Sequence, residues 1–279
     1  MDESREKEIK EAVKTYYAER ARAMASCCGP EASCDATAET AACCSTEASP
    51  AVAQEACCVS EEASCVSPQA AECSLGCGDP LVFSEIGEGD VVLDIGSGAG
   101  MEVIAAAQRV GASGKVIGLD MTPEMIATAT RNAERAGVAG IAEFRLGEME
   151  DMPIDEQSVD SIISNCVVNL SPDKARAFRE AYRVLKPGGS MLISDLVSEN
   201  LPEAIRNDLT AWAGCVAGTV EESEYLNLMR DAGFESVAVV DKADVTWALL
   251  GGGCCGGPAD PSGAGKIHSI KVRAVRPSR

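Results

Sequence analysis

Two short segments carry the side chains best suited to chemistry. Asp94-Ile95-Gly96-Ser97-Gly98-Ala99-Gly100 is a glycine turn behind a β-branched run, and Ser164-Asn165-Cys166-Val167-Val168-Asn169-Leu170 ends a second such run on one thiol. The glycines let a nucleotide-like cofactor approach backbone that side chains would otherwise block. A cysteine at a neighbouring strand end offers a soft nucleophile or a soft ligand. Together they suit group transfer to something that thiols bind.

Asp120 ends the strand after the turn and is placed to accept hydrogen bonds from ribose hydroxyls. Gly96, Gly98, Gly100 and Asp120 would serve a dinucleotide equally well. Asp94 tilts the choice, because a carboxylate directly before the glycines repels a pyrophosphate but attracts an ammonium. That favours S-adenosylmethionine, with Met121, Glu148, Met149 and Asn165 at the same sheet edge as further cofactor contacts. The plainer readings are a solvated loop acid for Glu148 and a packing side chain for Met149.

Fourteen cysteines in 279 residues narrow the chemistry further. The sequence shows neither a secretory apolar centre nor an apolar run long enough to span a membrane, so a cytoplasmic location is expected. A disulfide framework would be unusual there, leaving metal, metalloid or redox chemistry. His268 is the one histidine and no Cys-x-x-Cys pair occurs, which disfavours a mixed Cys/His zinc site. A net charge of -20 argues against nucleic acid and anionic lipid as partners.

The elements that must position these groups follow from pattern. Residues 2 to about 25 read as a charged helix with Ile9, Val13, Tyr16 and Tyr17 on one face. From Ser26 to about Cys73 the chain is rich in Ala, Ser, Glu and Cys without a period, as expected of a tether. It repeats the vicinal pairs Cys27-Cys28, Cys43-Cys44 and Cys57-Cys58, and Cys254-Cys255 forms a fourth in a glycine-rich insertion. Adjacent Cα atoms lie about 3.8 Å apart, below the span of a relaxed disulfide, so such pairs suit a larger soft centre. From Leu81 strands alternate with helices: strands over 90–95, 115–120, 141–146, 159–165 and 190–196, with helices over 101–110 and 173–185, imply a parallel, doubly wound sheet. Lys186-Pro187-Gly188-Gly189 is expected to close the second of those helices. Residues 202–215 and 221–232 read as helices, and 235–240 and 266–275 as closing strands.

From Gly89 to about Gly189 the sequence resembles class I S-adenosylmethionine methyltransferases, with 94–100 as the first motif and 184–189 as a late one. More narrowly, residues 75–80, 164–174 and 213–218 resemble arsenite methyltransferases. The resemblance implies a Rossmann-like core with a small C-terminal α+β extension, S-adenosylmethionine as cofactor, and arsenite and methylarsenite as substrates. It further implies thioredoxin or glutathione as the thiol source, and Cys77, Cys166 and Cys215 as ligands of trivalent arsenic. An upstream cysteine would relay disulfides, with Cys27, Cys28 and Cys73 as candidates. Read without the resemblance, Cys215 beside Trp212 is a small buried hydrophobe, and Cys166 stays open between ligand and packing. Two other readings stand beside this one: a methyltransferase for small organic acceptors with structural cysteines, and a soft-metal or metalloid buffer without turnover. The expected organisation is an N-terminal helix and tether over 1–73, a cofactor-binding core over 74–200 and a substrate-site, sheet-closing region over 201–279, in a monomer.

Overall fold

A computed structural model describes residues 2–27, 80–246, 249 and 265–278. The tether and its cysteine pairs, Cys73, Cys77 and the Cys254-Cys255 insertion lie outside the described residues, as does the side chain of Cys27.

Seven strands form one sheet in the order β3-β2-β1-β4-β5-β7-β6. They are β1 (Val91–Ile95), β2 (Lys115–Asp120), β3 (Ala142–Leu146), β4 (Val159–Asn165), β5 (Leu185–Glu199), β6 (Glu235–Asp244) and β7 (Lys266–Val275). β1 to β5 pair in parallel, whereas β7 runs antiparallel between β5 and β6. The doubly wound parallel sheet is thus extended by an antiparallel edge. β1 and β4 are neighbours, and Ile95 pairs with Ser164, so the glycine turn and Cys166 leave the same sheet edge at the point where the strand order reverses. That switch point is where ligands bind in open α/β sheets.

The helices are α1 (Glu3–Cys27), α2 (Met101–Val110), α3 (Pro123–Arg135), α4 (Lys174–Val184), α5 (Glu203–Arg206), α6 (Leu209–Ala213) and α7 (Glu222–Asp231). Their apolar faces cover the sheet; Val103, Ala106, Ala107 and Val110 of α2 are buried, as are Ala177, Phe178 and Ala181 of α4. In α1, Ile9, Val13 and Ala21 are almost fully buried. Their spacing of four and eight residues makes one stripe along the helix, which packs on α3 and α6. Burying Ile9 and Val13 contributes about 1.5–3 kcal/mol each. The exposed ion pair of Arg22 with Glu124 adds little by comparison.

Three local expectations change. Lys186-Pro187-Gly188-Gly189 does not cap a helix: α4 stops at Val184, and these residues begin β5, where Gly188 N and Gly189 O bond the backbone of Arg276. Pro187 forbids the helix to continue, and the strand partner captures the freed backbone. Residues 202–215 form two short helices instead of one, because Asp208 caps a new start by accepting from Ala211 N at 2.8 Å. β6 reaches Asp244, four residues past its expected end, since His268 of β7 offers it a partner.

Candidate active site

The glycine turn hangs on the end of β2. Gly96 N and Ser97 N donate to Leu119 O at 2.7 and 2.9 Å. Asp120 accepts from Gly98 N at 3.0 Å and from Thr122 N at 2.8 Å, so its carboxylate shapes the turn from the neighbouring strand. Gly96 has φ 75°, and a Cβ there would lie 2.3 Å from Val167. The segment carrying Cys166 therefore presses directly on the turn.

One pocket opens above these strand ends, lined by Asp94, Gly96, Gly98, Asp120, Met121, Met149, Asn165 and Cys166. Eight residues expected from sequence are thus brought together. Gly100 is not among the lining: its φ of 86° turns the chain into α2, and a Cβ there would face Ala129 and Phe144. Glu148 turns to the rim, where Lys10 of α1 bonds it at 2.6 Å. Lys10 also meets the buried Glu150 at 3.3 Å.

Sequence reasoning missed Ser97, Glu102 and Glu150, and also Lys10, Val13 and Tyr17 of α1, which close the pocket from above. The only signal for Val13 and Tyr17 was the apolar face of α1, which said that the helix packs but not upon what, and Lys10 had none. Glu102 sits one position inside α2 and accepts from Asn165 Nδ2 at 2.8 Å, tying the first turn of that helix to the end of β4.

Three polar atoms in the pocket wall are buried without a hydrogen-bond partner: Asp94 Oδ2, Ser97 Oγ and Asn165 Oδ1. Buried polar groups are rarely left so, and an aminoacyl nucleoside would bring donors to all three. A Cβ on Gly98 would meet nothing within 4 Å, so the turn leaves open space where a cofactor would lie. Burial, with Glu102 and Asp120 nearby, holds the Asp94 carboxyl well above the usual carboxylate range. An incoming ammonium would relieve that crowding of acids. The residues fit S-adenosylmethionine.

Cys215 does not line the pocket; it meets Cys166 behind the far wall. Cys215 Sγ donates to Cys166 O at 2.8 Å, and both residues are buried. Both also hold left-handed backbone, with φ 55° and 64°, a conformation that non-glycine residues seldom adopt. Cys166 is disulfide-bonded in this structure, whereas Cys215 is free. Burial, then Asp195, pushes the Cys215 thiol up to about 12, with Tyr17 and Lys174 opposing.

A buried polar network supports this wall. Asn169 donates to Asp195 Oδ1 at 2.7 Å and to Leu196 O at 2.6 Å, while Tyr225 donates to Asp195 Oδ2 at 3.0 Å. Lys174 Nζ donates to Ser171 O at 3.0 Å and to Asn169 O at 3.4 Å. Gly218 packs so tightly that a Cβ would lie 2.0 Å from Asn169 O. The loops after Cys166 and Cys215 are therefore locked together.

Strand order, glycine turn and pocket define a class I methyltransferase fold. Residues 86–233 match the methyltransferase domain family. An arsenite methyltransferase of Halobacterium salinarum is 40% identical over 240 residues, covering 86% of this chain and 60% of that protein. One from Aquipseudomonas alcaligenes is 37% identical, covering 75% and 60%. The crystal structure of an arsenic(III) S-adenosylmethionine methyltransferase from Chlamydomonas reinhardtii matches with TM-score 0.60 and 32% identity, covering 72% of this chain and 68% of that one. The chain belongs to the arsenite S-adenosylmethionine methyltransferase family. It spans about 60% of the length of the first two of these relatives.

Proposed function

We propose that this protein methylates trivalent arsenic, arsenite and then methylarsenite, using S-adenosylmethionine. The observation that carries the reading is the contact between Cys166, which lines the cofactor pocket, and Cys215, buried behind it, two cysteines of separate motifs both held in left-handed backbone. Packing alone does not explain why two strained positions should both be cysteine.

Asp94, the backbone of Gly96 and Gly98, and Asp120 hold the cofactor, and Asn165 and Glu102 fix the end of β4 beside it. Bound there, S-adenosylmethionine would supply an electrophilic methyl on its sulfonium, and the acceptor is the lone pair that arsenic keeps after bonding three thiolates. Cys166 and Cys215 supply two of those thiolates, and Cys77 is proposed as the third. Such an acceptor needs alignment and exclusion of water more than a general base. The lone histidine accords with this, since His268 lies on β7 opposite Val197 and does not line the pocket. Val13 and Tyr17 of α1 keep water from the reacting centre. Because Cys166 is disulfide-bonded here, a thiol reductant such as thioredoxin or glutathione must free it before arsenic binds. Cys27, Cys28 and Cys73 stand as the candidate relay partners.

Replacing Cys166 and Cys215 by Ser, singly, tests the reading. Arsenite-dependent formation of S-adenosylhomocysteine should fall by about 100-fold or more in each, roughly 2.7 kcal/mol in the barrier, with cofactor affinity retained. Undiminished activity in both would favour a small organic acceptor.

A further inference from the structure

Tyr17 lies on the buried side of α1, and its ring lines the pocket that also contains Asp94 and Cys166. The same ring packs against the apolar cluster that includes Cys166 and Cys215. Its hydroxyl makes one long hydrogen bond, to Ala213 O at 3.4 Å, and is also a hydrogen-bond neighbour of Cys215 Sγ. We propose that Tyr17 is a further substrate-site residue whose hydroxyl donates to the Cys215 sulfur once that sulfur has bonded trivalent arsenic. Docking of α1 then completes the arsenic site as well as the roof over the cofactor. This rests on the reading of the protein as an arsenic methyltransferase.

Binding arsenic changes the hydrogen-bonding role of the Cys215 sulfur. In the free protein Cys215 is the donor, to Cys166 O at 2.8 Å. Ligand exchange breaks the S–H bond and an As–O bond and forms an As–S bond. The thiol proton leaves with the displaced hydroxide as water, and no oxidation state changes. Afterwards the sulfur has nothing to donate and accepts only. Among the described residues, Trp212 Nε1 donates to Leu170 O at 3.3 Å, and Lys174 Nζ directs two of its three N–H groups to the carbonyls of Asn169 and Ser171. Leu170, Leu196 and Val216 of the surrounding cluster are apolar. The Tyr17 hydroxyl, already beside the Cys215 sulfur and bonded otherwise only to Ala213 O at a long 3.4 Å, is the donor placed to turn to it.

The test is Tyr17→Phe in the full, reduced chain. One hydrogen bond to a polarised sulfur corresponds to about a five- to tenfold change in affinity. The Michaelis constant for arsenite should rise by about that factor, while the binding constant for S-adenosylhomocysteine, measured by calorimetry, stays unchanged. Trp212, beside Cys215, gives a readout independent of turnover: titration of its fluorescence with arsenite should shift to higher concentration by the same factor. Tyr17→Ala, which also opens the roof, should weaken both ligands. Wild-type arsenite dependence in Tyr17→Phe, or equal weakening of arsenite and cofactor, would overturn the proposal. If the wild-type protein shows no arsenite-dependent turnover, the methyltransferase reading fails instead, and the fluorescence titration still decides whether Tyr17 holds the arsenic-bound sulfur.

Discussion

Cys215 Sγ donates to Cys166 O at 2.8 Å although the two residues lie 49 positions apart. One end of β4 and the loop after α6 thereby form a single wall. Cys166 is disulfide-bonded here, so under the proposed function its capacity to bind arsenic should depend on redox state. Protein kept oxidised should bind S-adenosylhomocysteine with normal affinity yet form no methylated arsenic, and a dithiol reductant should restore turnover. Full turnover without reductant would refute this.

Asp94 gives a prediction about pH. Burial and the neighbouring Glu102 and Asp120 raise its folded-state pKa above the unfolded value. Its contribution to stability is therefore fully present below the unfolded pKa and is lost as pH rises through the raised one. Asp94→Asn removes that loss. The cofactor-free variant should melt roughly 2–4 °C higher than wild type at pH 7, as about 1 kcal/mol would give, with the gap closing toward pH 4. Its cofactor affinity should fall by about tenfold or more, since an ammonium partner is gone. A variant less stable than wild type at pH 7 would contradict the account.

Two glycines should respond in opposite ways. Gly218→Ala places a methyl 2.0 Å from Asn169 O, so backbone must move, at a cost of roughly 2–3 kcal/mol. The Cys166–Cys215 contact should suffer with it, and the Michaelis constant for arsenite should rise more than that for cofactor. Gly98→Ala meets no atom within 4 Å and has φ 50°, so thermal unfolding should shift by only about 1 kcal/mol. Its methyl points into the pocket, however, and calorimetry should show cofactor binding largely lost.

Lys174 is a buried cation whose pKa burial lowers, and Asp195 a buried acid whose pKa burial raises. Removing one leaves the other uncompensated. Lys174→Met should destabilise the fold by about 3 kcal/mol in denaturant titration, and adding Asp195→Asn should recover part of that loss. Strictly additive losses would show that the two charges do not interact.

Much of this site was legible in sequence because its signals are local. A glycine turn after a β-branched run, and an acid ending the next strand, place Asp94, Gly96, Gly98 and Asp120 with little help from tertiary structure. What escaped depends on distant packing. Nothing within α1 says that Tyr17 and Lys10 roof the pocket, because the helix and the sheet edge are joined only by the fold. The left-handed backbone of Cys166 and Cys215 was equally hidden, since cysteine has no preference for it. Lys186–Gly189 misled because Pro and Gly stop a helix whether the chain then turns or, as here, enters a strand that pairs with Arg276.

In the proposed reaction, arsenic held by cysteine is the methyl acceptor. The most direct measurement is S-adenosylhomocysteine formation by the reduced protein, with and without arsenite, alongside speciation of the arsenic. Turnover should require arsenite and yield methylated arsenic in step with S-adenosylhomocysteine. Arsenite binding without S-adenosylhomocysteine formation, or turnover indifferent to arsenite, would contradict it.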